Sequence, residues 1–411
     1  MDDNMSDIKW MDGGVTCAQG FQAAGVHCGL RKNKSKRDLA LIVCEKPCDA
    51  AAVYTRNLVQ SAPILITKKH LQDGRAQAVI CNSGNANTCN ADGVEKAQRM
   101  CEIASRVTGV PAQDVIVAST GVIGQPLPIE PMESAAESLK EALGVAGGTD
   151  AAEAILTTDT VKKEFALEFT LGGRTCRMGG IAKGSGMIHP NMATLLSFVT
   201  TDADITPDML QLALTRAVDR SFNMLSVDGD TSTNDTLAVM ASGLCGNRRI
   251  TAQGEDLDAF SQALEALCIA LAKALAKDGE GATRLIECIV NGAADESAAR
   301  AIAKSVICSS LVKAAVFGAD ANWGRVLCAI GYSGERVDVA RVKVEFASPK
   351  GSILVCREGA GVDFSEELAK EILLEKEIQI LVTLGDGSAG ATAWGCDLTY
   401  DYVKINGDYR T

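Results

Sequence analysis

The run Gly179-Gly-Ile-Ala-Lys183-Gly-Ser-Gly-Met-Ile-His189-Pro-Asn-Met-Ala193-Thr194-Leu-Leu-Ser-Phe198 lies near the middle of the 411-residue chain. Gly179, Gly180, Gly184, Ser185 and Gly186 crowd a single lysine, and glycine is used where backbone takes positive φ or passes close to a ligand. A Pro190-Asn191 turn then leads Ala193-Thr194 into an apolar stretch, and residues 195–200 read as a buried strand. Thr194 therefore stands where a loop enters a sheet, a good place for a nucleophilic hydroxyl.

Back toward the N-terminus the text is strand-rich. Residues 174–178 follow a Gly172-Gly173 pair suited to a tight hairpin. Residues 163–171 set Phe165, Leu167 and Phe169 against polar neighbours, the two-residue period of a half-exposed strand. Short β-branched runs at 39–44, 51–55, 64–67 and 76–81 read as further strands, and residues 1–12 as a disordered leader. Val94, Ala97, Cys101, Ala104 and Val107 repeat at helical spacing, and a second helix fits 131–143. Two polar stretches interrupt this pattern. Cys81-Asn-Ser-Gly-Asn-Ala-Asn87 is dense in residues that tolerate left-handed backbone and reads as a structured loop, while Ser119-Thr120-Gly121 directly follows a short strand at 115–118.

Toward the C-terminus, Thr206 and Pro207 mark the cap and first position of a helix. Residues 257–277 form the longest helix, apolar on more than one side and so sandwiched between layers. A strand at 285–290, a helix at about 296–316, a strand at 342–346, a helix at 366–374 and strands near 377–384 and 392–405 complete the chain. Ser226-Val-Asp-Gly-Asp-Thr-Ser-Thr-Asn-Asp235 packs hydroxyls and amides densely enough to wall a site, and lacks the twelfth-position Glu of a calcium loop. Runs of strands alternating with runs of helices imply an α+β fold of stacked layers.

Composition narrows the class. Apolar residues make up 47% and aromatic ones 4%, so the core is built from Ala, Val, Ile and Leu. A net charge of −12 argues against nucleic acid or an anionic membrane as partner. The start, Met-Asp-Asp-Asn-Met-Ser-Asp, lacks the parts of a secretory signal, and no apolar run approaches the roughly 20 residues that span a bilayer. A cytoplasmic enzyme is expected. Fifteen cysteines with no C-x-x-C pair read as buried free thiols in a reducing compartment, with no metal held.

The catalytic chemistry follows from a scarcity. Only three histidines exist, His27, His70 and His189, and no G-x-S-x-G elbow is present. His189 reads as a turn residue before Pro190. A hydroxyl can then be activated by a neighbouring lysine, which would make Lys183 the base for Ser185 or Thr194. Alternatively, a threonine can use its own α-amine once the preceding peptide bond is cut. That amine, with an ordinary pKa of about 7.7–8.0, is partly neutral at pH 7, and its tether fixes its proximity. The chain is therefore expected to cut itself between Ala193 and Thr194 and to use Thr194 for acyl transfer. The oxyanion needs donors, and Thr120 with Gly121 offers a hydroxyl and an unhindered N–H. Lys183 and Arg284 are candidates for a carboxylate, Glu280 for an ammonium group. A phosphate cradle at 179–186 is the rival reading, but the P-loop order G-x-x-x-x-G-K-[ST] is absent.

Lys183-Gly-Ser-Gly-Met-Ile with Pro190-Asn-Met-Ala-Thr194 resembles the signature of the ornithine acetyltransferases, the bifunctional glutamate/ornithine N-acetyltransferases of arginine biosynthesis. Gly25-Val-His-Cys-Gly29, Thr55-Arg-Asn57, Cys81 to Asn87, Thr157-Thr-Asp-Thr160, Val227 to Asp235, Asp278-Gly-Glu-Gly-Ala-Thr283, Asp320-Ala-Asn-Trp-Gly-Arg325 and the closing Tyr402 to Thr411 resemble that family in order. The likeness runs from about Trp10 to the end. It implies a layered α/β sandwich that resembles N-terminal-nucleophile hydrolases without sharing their topology. It also implies a precursor cut into an α chain, residues 1–193, with the oxyanion-hole loop, and a β chain, 194–411, led by the nucleophile Thr194. Thr120 and Gly121 would form the oxyanion hole, and Thr157, Lys183, Thr194, Glu280, Asn406 and Thr411 would touch substrate. An α2β2 assembly in the cytoplasm and no cofactor are implied. The reaction would pass acetyl from N2-acetylornithine to glutamate through an acetyl-threonine, with acetyl-CoA left open as a further donor. The alternative is a self-processing aminopeptidase or amidase in which water takes the acyl group.

Overall fold

Two sheets are laid down almost in sequence, with one exchange between them. The computed structural model describes residues 8–189 and 195–407. β1 (Lys9–Met11), β2 (Phe21–Val26), β3 (Leu39–Tyr54), β4 (Arg75–Asn82) and β5 (Val115–Ser119) begin a nine-stranded sheet, which β6 (Lys163–Leu171), β7 (Arg174–Lys183) and β8 (Leu196–Thr201) extend. β9 (Leu225–Ser226) already belongs to the second sheet, and β10 (Thr236–Ala241) returns to the first. The second sheet is completed by β11 (Leu285–Ala293), β12 (Lys343–Ser348), β13 (Gly351–Arg357), β14 (Ala360–Gly361), β15 (Glu377–Thr383) and β16 (Ala389–Cys396). The first sheet runs β1-β6-β7-β8-β10-β3-β4-β5 with β2 also on β3, and the second β14-β13-β12-β15-β11-β16-β9.

Period-two alternation sorts the first sheet's side chains between layers. In β3, Leu39 and Leu41 join a cluster with Ala97, Met100 and Ile103 of helix Gly93–Thr108, whereas Ala40 and Ile42 join one with Ala151 and Ala152 of helix Gly148–Ala154. The largest core is filled by helices Pro207–Arg220 and Glu255–Lys277, which pack on the first sheet, the latter reaching the second, and it continues to helix Glu296–Cys308, which packs on the second sheet. Helix Glu255–Lys277 is long and apolar enough by composition to cross a membrane. Its buried Phe260, Leu264, Leu267, Leu271 and Leu275 belong instead to this core, with Phe260 edge-on to Phe169 of β6 at 6.0 Å. Each such side chain contributes about 1.5–3 kcal/mol on burial.

The layered α+β class is the one expected, but several segments differ. Residues 9–11, read as leader, form β1 on β6, with Trp10 edge-on to Phe165 at 6.2 Å. Residues 64–67 lie in helix Ala62–His70, begun by Pro63; a four-residue apolar run carries no period that separates helix from strand. The helix expected at 296–316 is two, because Ser309 leaves helical geometry and accepts from Val312 N–H at 3.3 Å. Residues 131–143 likewise divide into Glu130–Ser134 and Ala136–Ala142. After β16 the chain turns into helix Tyr400–Gly407, so the strand expected at 392–405 ends at Cys396. The glycine-rich centre is also less of a loop than it reads. Gly179 to Lys183 are strand, and a Cβ on Gly179 would run into the carbonyl of Gly14. Finally, Cys176 and Cys245 are joined as a disulfide, not free. β7 and the segment after β10 bring their Cα atoms to 5.5 Å across 69 residues, a proximity no local spacing announces.

Candidate active site

β7 and β8 pair antiparallel as far as Lys183↔Leu196, so the connection between them leaves and re-enters the sheet at one edge. Ala193 and Thr194 lie in that connection, outside the described residues, as does Thr411. Leu195 is buried and its carbonyl accepts from Thr236 N–H at 2.9 Å, which anchors the chain immediately after position 194.

Thr120, just after β5, and Lys183, at the end of β7, stand in contact. β4 and β5 run parallel to Asn82↔Ser119, so the loops after both emerge at the same end of the sheet. Thr120 N–H donates to Asn82 O at 2.9 Å, and Lys183 Nζ donates to Thr120 Oγ1 at 3.4 Å. Gly121 follows at φ +136°, and a Cβ there would stand 2.8 Å from the backbone nitrogen of Asn85, so glycine is required on both counts. Among the described residues its N–H has no backbone acceptor. The polar loops on either side hold this turn. Asn82 Oδ1 accepts from Gly84 and Asn85 N–H at 3.1 and 3.0 Å, and Asn234 Nδ2 donates to Ala86 O and Ser119 O at 2.6 and 2.8 Å. Residues 81–87 and 226–235 thus form one hydrogen-bonded wall.

Beneath Lys183 lies an ionic cluster that the sequence reading missed. Lys163, fully buried, donates to Asp159 Oδ1 at 2.5 Å and to the carboxylate of Asp278. Asp159 also accepts from Gly184 N–H at 2.7 Å and from Thr157 N–H at 2.9 Å, tying the expected substrate residue Thr157 to the turn after Lys183. Burial pushes Asp159 up, but Lys183 and Lys163 together outweigh it and hold the carboxyl down at about 2. The Lys183 ammonium is pushed down by burial and by Lys163, against Asp159 and Asp235. Asp235, buried just before β10, is raised well above the carboxylate range by desolvation. A signal for Lys163 was present: it shares parity with Leu167, Phe169 and Leu171, the inward face of β6.

Glu280 completes the opposite wall. Its N–H donates to Ser185 O at 2.9 Å, its carboxylate accepts from Asn406 Nδ2 at 2.7 Å, and a Cβ on Gly186 would collide with it. Ser185 Oγ donates to Asp278 O at 2.6 Å. The structure therefore gathers Thr120, Thr157, Lys183, Glu280 and Asn406 around residues 183–186. Arg284 is not among them, since its guanidinium donates to Val316 O and Phe317 O at 3.1 and 2.9 Å. His189 Nδ1 lies 3.0 Å from Ser226 Oγ, and burial with nearby Lys304 pushes the ring down to about 4, so it is neutral at pH 7.

The arrangement offers a hydroxyl and an N–H for an oxyanion, a buried cation and a buried carboxylate for the ends of a zwitterion, and a chain re-entering the sheet between them. Comparison with known proteins places the chain in a family. An arginine biosynthesis bifunctional protein ArgJ from Symbiobacterium thermophilum is 51% identical over 98% of this chain and 100% of its own length. One from Caldanaerobacter subterraneus is 49% identical over 98% and 100%. The crystal structure of an ArgJ protein from Bacillus halodurans is 48% identical, covers 52% of this chain and 98% of that chain, and superposes with a TM-score of 0.49. The profile of the ArgJ family matches residues 22–411, and the chain belongs to that family.

Proposed function

We propose that this chain is an acetyltransferase of arginine biosynthesis, moving acetyl from N2-acetylornithine to glutamate through Thr194. The observation that carries the reading is the Lys183–Thr120 contact at 3.4 Å, which joins the substrate-binding edge of β7 to the oxyanion turn beside the point where the chain re-enters β8. The names of the relatives, which speak of a bifunctional arginine biosynthesis protein, support it.

The chain first cuts between Ala193 and Thr194, giving an α chain of residues 1–193 and a β chain of 194–411. The freed α-amine takes the proton from Thr194 Oγ as the oxygen attacks the acetyl carbonyl. Thr120 Oγ and Gly121 N–H receive the developing oxyanion, a pair in which loss of one donor typically costs about 2.7–4 kcal/mol. The C–N bond breaks, the amine returns its proton to the leaving nitrogen, and ornithine departs. Glutamate's amine then attacks the acetyl-threonine ester, and the reverse proton path regenerates Thr194. Lys183 holds the substrate carboxylate and Glu280, with Asn406, the distal ammonium; Thr157 and Thr411 complete the contacts. Acetyl-CoA enters as a second donor to the same hydroxyl, with the thiol as leaving group. No cofactor or metal takes part, and the two chains assemble as α2β2 in the cytoplasm.

Denaturing electrophoresis with N-terminal sequencing tests the maturation: two fragments are expected, one starting at Thr194. A single uncut band from active enzyme would sink the amine-as-base mechanism. Acetate release that proceeds at the same rate without glutamate would make the protein an amidase instead.

A further inference from the structure

Residues 31–37, Arg-Lys-Asn-Lys-Ser-Lys-Arg, carry five cations and no acid in a chain of net charge −12, its densest basic run. A charge run is usually a solvated face, but this one is folded against the site. Fully buried Asp38 accepts Cys28 and Arg31 N–H at 2.5 and 2.8 Å, and His27 Nδ1 meets Lys36 O at 2.9 Å. Arg31 braces the loop on both sides, its guanidinium donating to Ser83 O at 3.0 Å and to Leu156 O. Arg37 is committed to Asp150 and Glu153. Lys32 and Lys36 are exposed, and among the described residues neither has a carboxylate partner.

These two lysines rim a cavity of about 450 Å³ that reaches Gly84, Gly121 and Thr157. The cavity therefore ends at the oxyanion turn and opens under a basic loop. Neither Lys183, Glu280 nor Asn406 lines it, so the partners for an amino-acid zwitterion lie elsewhere. Its volume falls within the range of about 300–1,000 Å³ usual for drug-sized ligands. Lysine binds phosphate as a compact point charge, and a basic rim in an otherwise acidic surface focuses potential at one mouth.

We propose that this cavity docks the phosphorylated end of a carrier thioester, an acyl-CoA, with Lys32 and Lys36 on its phosphates and Arg31 as the strut. The inference rests on acyl transfer at Thr194. The thioester carbonyl sits at Gly121, Thr194 Oγ forms the new C–O bond, the C–S bond breaks, and the proton from Oγ goes by way of the α-amine to the departing thiolate.

The test measures initial rates of the processed full chain with two donors, acetyl-CoA and N2-acetylornithine, and glutamate as acceptor. Lys32→Glu/Lys36→Glu is expected to raise the KM for acetyl-CoA at least about tenfold, leaving kcat/KM for N2-acetylornithine within about twofold. Added salt should raise the acetyl-CoA KM more than the other, and Lys34→Glu, off the cavity, should change little. An unchanged acetyl-CoA KM, an equal rise for both donors, or no transfer from acetyl-CoA while N2-acetylornithine works would overturn the dock. Should neither donor work, the acyl-transfer reading itself fails, and calorimetry with CoA decides the dock alone. Binding to the native chain that the double variant loses supports it, and no binding ends it.

Discussion

Under helix Glu296–Cys308 the second sheet buries hydrocarbon, setting Ile286, Cys288 and Val290 against Ile302 and Val306. Its carboxylate Glu287 is served by three donors, Trp394 Nε1, Gln379 Nε2 and Lys273 Nζ, at 2.8, 2.8 and 3.1 Å. At the site end of the first sheet the buried side chains are Lys163, Asp159, Lys183 and Asp235. The Lys273–Glu287 pair of the second sheet is partly open to solvent, whereas the Lys163–Asp159 pair of the first is fully enclosed. Buried ion pairs contribute little net stability over well-packed apolar residues, although breaking one by removing a partner is costly. The first sheet thus carries ions for geometry, and the second supplies the stability that tolerates them.

Breaking the contrast at the site has the largest expected effect. Thr194→Ala should leave the chain uncut and lower transfer by about 10⁴-fold or more, read by electrophoresis and by labelled acetyl exchange. Gly121→Ala should lower kcat by about 10²–10³, since a Cβ would press on Asn85 and move the N–H; a normal kcat would remove Gly121 from the oxyanion hole. Lys163→Met leaves Asp159 and Asp278 facing each other without their cation and should cost about 3–5 kcal/mol in denaturant unfolding. Acid should find the same cluster. The Asp159 carboxyl sits near 2 against a usual 3.8, so its contribution is complete above about pH 4 and is lost as pH falls through 2. Roughly 2 kcal/mol is at stake, and the difference between native protein and Asp159→Asn should shrink over that window. In the second sheet, Ile302→Val should cost only about 0.5–1.5 kcal/mol and leave kcat and KM untouched. A changed kcat there would dissolve the division of labour.

Where a segment's period was long, its fold was legible. The strand at 163–171 was read to the residue as β6, and the helix around 94–107 to within one residue at each end. Short apolar runs misled, as at 64–67, because four residues fit either period. The candidate site was legible where its chemistry was local: Lys183, Thr120, Gly121 and Glu280 are marked by glycine and by polar company. Lys163 was not, because a lysine opening a half-exposed strand reads as a solvated end, and only the partners Asp159 and Asp278, the latter 115 residues away, make it a core residue. Arg284 misled for the opposite reason: it sits in a polar turn beside Glu280, but the helix ending at Phe317 takes its donors.

The pairing of β7 with β8, and of β3 with β10, crosses the Ala193–Thr194 bond. In an uncut chain β7 and β8 find one another on a short tether, a unimolecular search with a small closure entropy. On the proposed cut the same hydrogen bonds join two polypeptides that share one sheet and one core. Unfolding then releases two molecules, and the return becomes second order, slower with every dilution. Maturation would act as a ratchet: the chain folds once as a single molecule, and afterwards its half-life is set by how slowly it unfolds.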